Sequence, residues 1–115
     1  MAANYLARAK DISPDSAQAV QMAVGFVRAE GHPDIRMALA LGLGKSKASP
    51  AFAILSKTIG NEQDWRVQCN MIKALAKFDY DTVRGLVVPL IFSPNPHVSR
   101  TAAEFFIENG QLRDA

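Results

Sequence analysis

Apolar positions along the chain recur at the 3.6-residue spacing of amphipathic helices. Segment 64–78 is the clearest case, with Val67, Met71, Ala74, Leu75 and Phe78 on one face. Phe52, Leu55 and Ile59 form the same kind of stripe in segment 50–59. No alternating run bounded by hairpin turns occurs, so the pattern predicts helices and no sheet. Ser13-Pro14, Ser49-Pro50 and Asn95-Pro96 each set a capping side chain before a proline, whose missing N–H costs nothing in a first helical turn. His32-Pro33-Asp34 reads as a fourth start. Gly31, Gly44, Gly60 and Gly110 follow periodic segments, where a left-handed C-cap favours glycine. These marks predict a leading helix near Ala3–Lys10 and then pairs at 14–29 and 33–43, 50–59 and 64–78, and 81–92 and 96–109. Pro89 falls inside the helix at 81–92, with its ring toward the carbonyl of Gly85, and predicts a kink rather than a break.

The segments are related to one another. IRMALALGLG (35–44), VQCNMIKALA (67–76) and VSRTAAEFFI (98–107) overlay without gaps, opened by Ile35, Val67 and Val98. Leu43, Leu75 and Phe106 each follow eight positions later. The spacing is 32 and then 31 residues, in the range of two-helix repeats that stack into solenoids. The predicted fold is therefore all-α: one α-solenoid domain over residues 1–115, with repeats at about 14–44, 50–78 and 81–109. The chain reads as a fragment of a longer protein.

Charge narrows the function classes. Thirteen basic and eleven acidic side chains leave a net charge of +2, which disfavours nucleic acid as the partner. The longest apolar runs fall far short of a membrane span, and no signal-peptide core opens the chain. A soluble protein, cytoplasmic by default, is expected. Cys69 is the single cysteine, so no internal disulfide can form.

Asp34-Ile35-Arg36-Met37-Ala38, running on to Leu43-Gly44, resembles the second helix of HEAT repeats. The middle unit keeps Val67, Ala74 and Leu75 but has Gln68 at the arginine position. The third keeps Val98, Thr101-Ala102-Ala103 and Glu104, with Ser99 there. The short period is similar to compact bacterial HEAT-like repeats, as in phycobilin lyases or in arrays accompanying some bacterial peptidyl-prolyl isomerases. The resemblance implies a stack of antiparallel helix pairs whose second helices line a concave side. It also implies that an arginine of one repeat bridges to an aspartate of the next, a role only Arg36 is placed to take.

Several sequences tempt a chemical reading. Leu39–Ser46 (LALGLGKS) ends like a phosphate-binding loop, but Leu39 stands where the first glycine belongs and a helix precedes it. His32 and His97 sit at helix starts with no ligand at metal spacing. Cys69 lacks the cationic neighbours that activate a thiol. Asp79, Asp81 and the Glu104–Glu108 pair read as caps and wet-face charges. No catalytic residue, metal or cofactor is expected, and the chain reads as no enzyme.

The expected function is a non-catalytic protein–protein interaction or scaffolding module. Offsets two and six from each opening residue put Met37 and Leu41, Cys69 and Lys73, and Arg100 and Glu104 on the concave face as partner-binding residues. Phe105, Phe106 and Ile107 are consecutive and span roughly 200° of the last helix, too wide to face one neighbour. They predict an exposed C-terminal interface for another protein, an adjoining domain or a second copy in a homodimer. Two alternatives come from the resemblance. One is a DNA-binding or DNA-repair glycosylase of HEAT-like fold, faintly suggested by Asp64-Trp65-Arg66-Val67. The other is a phycobilin-lyase-like chromophore-binding protein.

Overall fold

Each helix start is set by what precedes it. A computed structural model describes the backbone of residues 14–114 and the side chains of residues 16–109. Those residues form six α-helices: α1 (Pro14–Arg28), α2 (Pro33–Ser46), α3 (Ser49–Thr58), α4 (Trp65–Leu75), α5 (Tyr80–Val87) and α6 (Pro96–Asp114). Short 3₁₀ stretches follow α3 (Ile59–Asn61) and α5 (Val88–Phe92), and no strand occurs among the described residues. The expected leading helix at Ala3–Lys10 lies outside them, as does Ser13.

Asp64 caps α4 by accepting from the amides of Arg66 and Val67 at 2.9 and 3.4 Å. Asp79 caps α5 through the Thr82 amide at 3.0 Å, and Asn95 caps α6 through those of His97 and Val98 at 2.8 and 3.3 Å. Gly31, at φ +90°, makes the left-handed turn between α1 and α2.

Other punctuation is used differently from its local reading. Ala48, not Ser49, is the N-cap of α3, and it makes no side-chain cap bond. Gly44 and Gly110 lie inside helices, and α2 ends instead on Lys47 at φ 55°. Gly60 sits in the 3₁₀ turn after α3 with no positive φ. At Pro89 the α-helix stops rather than kinks: α5 ends at Val87, and Val88–Phe92 tightens into 3₁₀ geometry. That winding removes the need for the amide hydrogen bond proline cannot donate. Gly85 meets no crowding, since a Cβ there would touch nothing within 4 Å.

The helices form two rows. In one, α4 lies between α2 and α6 and packs on both; in the other, α1 packs on α3. α5 packs on α6 and on its own 3₁₀ extension, and meets α3 marginally at most. Extents of 49 × 39 × 17 Å describe a slab two helices thick, since two helix axes 8–10 Å apart plus backbone radii come to about 15 Å. Between the rows lie Phe26, Leu43, Leu55, Val67, Met71, Leu75, Val83 and Val98, each fully buried. The predicted core stripe of α4 is correct at Val67, Met71, Ala74 and Leu75, with Phe78 half-buried.

Candidate functional site

The row of α2, α4 and α6 is held in register by contacts about one repeat apart in sequence. Where α2 meets α4, the backbones nearly touch: a Cβ on Gly44 would stand 2.6 Å from Ala74 Cα. Further toward the N-terminal ends of the same pair, the buried Asn70 side-chain amide donates to the Met37 carbonyl at 3.1 Å. Where α4 meets α6, the Thr101 hydroxyl lies 3.4 Å from Cys69 Sγ, and the Trp65 ring stacks on His97 at 4.4 Å. Both of these α4–α6 pairs are 32 residues apart. The two helices still keep the 31-residue register of the overlay: their N-caps Asp64 and Asn95, and the buried positions Val67 and Val98, Met71 and Ala102, and Ala74 and Phe105, are each 31 apart. Contacts across the seam join positions one residue out of equivalence.

This register builds a groove of about 550 Å³ toward the C-terminal halves of the three helices. Leu41 and Lys45 come from α2, Lys73 from α4 and Lys77 from the turn that follows it, and Glu104 and Glu108 from α6. Ile72, Ala76 and Phe105 line its floor, Ile72 and Phe105 almost fully buried, and Leu41 is the exposed large apolar side chain of the lining. All five charged side chains are exposed, and none takes part in an ion pair; the two pairs among the described residues, Arg36–Glu62 and Arg66–Asp64, lie elsewhere. One side of the groove is thus basic and the other acidic.

The six residues expected on this face divide. Leu41, Lys73 and Glu104 line the groove together, and Leu41 is 40% exposed. Arg100 is exposed but lies outside the groove lining, and Met37 is half-buried against the core. Cys69 is a correction: it is buried between α4 and α6, because offset two points at the seam between helices and not at solvent. The expected C-terminal interface divides too. Phe105 is buried against Tyr80 and the core, Phe106 is half-buried, and only Ile107 is open, at 56% exposure.

A second crevice, of about 410 Å³, lies at the loop edge between the first two helix pairs. Arg36 crosses it, its guanidinium 4.1 Å over the Phe26 ring, paired with Glu62 and donating through Nε to the Phe26 carbonyl at 3.3 Å. The Glu62 side chain is 4% exposed, so the crevice holds a neutralised structural pair. Arg36 therefore does reach the next unit, but to a glutamate. Gln68, at the equivalent position of α4, keeps only the backbone tie, donating to the Ile59 carbonyl at 2.9 Å. Nearby, the Arg66 guanidinium hydrogen-bonds the Asp64 carboxyl and holds it below the usual aspartate range; the helix amides act in the same direction.

The tempting sequences acquire plain structural places. Leu39–Ser46 is helical throughout, so it forms no phosphate loop. His97 stacks on Trp65, and His32 precedes α2 without a side-chain cap bond. Among the described residues no three His, Cys, Asp or Glu side chains converge as a metal site, and no helix is long and apolar enough to cross a membrane. Sequence reasoning missed Lys45, Lys77 and Glu108; each lies four positions beyond a residue it did select, the signal that would have found them. The chain matches no protein-family model, and no curated protein or solved structure shows significant similarity to it.

Proposed function

We propose that the chain is a short α-solenoid of HEAT-like helix pairs and serves as a non-catalytic protein-binding or scaffolding module. Contacts about one repeat apart between successive second helices, and the Arg36–Glu62 bridge between successive units, support the repeat reading. One observation carries the functional reading: Leu41, Lys73 and Glu104, the outward positions of three successive second helices, line a single groove. Its apolar floor and exposed, unpaired charges are what a polypeptide partner uses for affinity and orientation respectively. That partner is another protein or an adjoining domain of the same polypeptide.

Site-specific photo-crosslinking in cells tests this reading. A photoreactive side chain at Leu41 is expected to give discrete protein adducts, whereas one at Lys57, exposed on α3, gives none. Equal labelling from both positions, or steeply salt-dependent binding of duplex DNA, would contradict it.

A further inference from the structure

We infer that the groove between α2, α4 and α6 takes an amphipathic helical segment of a partner protein whose two flanks carry opposite charge. The inference rests on the protein-binding reading above and adds the chemistry of the ligand. Lys45, Lys73 and Lys77 stand on the side of α2 and α4, and Glu104 and Glu108 on the side of α6. These charges are close enough to line one groove, yet none is within ion-pair distance of another. Lys–Glu contact across the groove would have neutralised it. As built, it offers two walls of opposite sign to whatever lies between them.

The dimensions suit a helix. The lining follows α6 from Thr101 to Asn109, which at 1.5 Å per residue is about 12 Å, or roughly two helical turns. A helix lying there presents one apolar stripe to Leu41 and Ala76, with its flanks toward the two walls. Two copies of a concave groove cannot fill each other, so a second copy of this chain fits less well than a convex segment. With a net charge of only +2, the protein as a whole attracts neither sign strongly, so discrimination must come from the walls.

Three labelled synthetic helical peptides test this on the full chain. All share one leucine stripe; the first has glutamates on one flank and lysines on the other, the second only glutamates, the third only lysines. Fluorescence anisotropy at low salt should show the two-sign peptide binding about tenfold tighter than either single-sign peptide. Replacing both Glu104→Lys and Glu108→Lys makes every wall basic and should move the preference to the all-glutamate peptide. Lys73→Glu with Lys77→Glu should move it toward the all-lysine peptide. All four positions are exposed, and circular dichroism checks that each variant stays folded. An affinity order that ignores the wall reversals, or no binding of any peptide, would overturn the inference. If Leu41 still yields protein adducts in that case, the protein-binding reading stands without it; if those adducts are also lost, both fail.

Discussion

The two seams of the row formed by α2, α4 and α6 are built from equivalent positions but by different means. At the first, Gly44 lets the backbones approach almost to contact, Asn70 bonds across to α2, and Arg36 adds a buried bridge to Glu62. At the second, Ala76 stands 32 residues after Gly44, Gln68 replaces the arginine, and contact is made by side chains: Cys69 with Thr101, Trp65 with His97, and Val98, Ala102 and Phe105 in the core. The other helices repeat the contrast, since α1 packs on α3 while α3 and α5 meet marginally at most. A repeat can therefore keep its period while the interface energy shifts from backbone proximity and charge to side-chain packing. The expected consequence is a stiffer first seam and a more adjustable second one.

Mutations at matched positions put numbers on that contrast. Arg36→Ala leaves Glu62 buried without its cation and should destabilise by about 3 kcal/mol in urea unfolding. Gln68→Ala, at the same position of α4, removes one hydrogen bond and should cost only about 1 kcal/mol. Equal losses would show that the two seams do not differ as described.

Gly44→Ala is next in size. Alanine favours a helix by about 1 kcal/mol, but here its methyl must displace the Ala74 backbone, and overpacking of this kind costs about 1–3 kcal/mol. A net loss of about 2 kcal/mol is expected. A neutral or stabilised variant would mean that α2 and α4 are further apart than described.

Asp64→Ala should cost about 1 kcal/mol near neutral pH through loss of the α4 cap. Its carboxyl is held below the ordinary 3.8 by Arg66 and the helix amides. The stability it contributes is therefore complete above about pH 4 and is lost as pH falls through the lowered folded value. Wild type and variant should converge in acid, and a constant difference down to pH 2 would argue against the cap. The smallest effect has the opposite sign: Gly85→Ala, exposed in α5 with open space around its Cβ, should stabilise by about 0.5–1 kcal/mol.

What the sequence revealed, and what it hid, follows the range of the interactions involved. Caps at Asn95 and Gly31, the helix starts to within a residue and the core stripe of α4 depend on neighbours a few residues away, and they were legible. Gly44 was misread because a glycine near a helix end looks the same whether it turns the backbone or admits a distant helix. Only Ala74, thirty residues on, decides which. Cys69 was misplaced because offset two lies at the edge of the exposed arc, and the neighbouring helix determines whether that edge is covered. Offset six lies near the middle of the arc, and Leu41, Lys73 and Glu104 are all exposed. The opposition of the groove walls was not legible, since it depends on which three helices stand side by side.

The groove depends on α4 and α6 standing side by side as described, and the single cysteine gives direct access to that packing. Thr101→Cys places a second thiol where the Thr101 hydroxyl now lies 3.4 Å from Cys69 Sγ, while Ile107→Cys places one on the exposed face further along α6. Mild oxidation should convert the Thr101→Cys protein rapidly and completely to an intramolecular disulfide, seen as a mass loss of two hydrogens, and leave the Ile107→Cys monomer unbridged. A Thr101→Cys protein that stays reduced, or forms only intermolecular dimers, would contradict this α4–α6 packing and with it the groove.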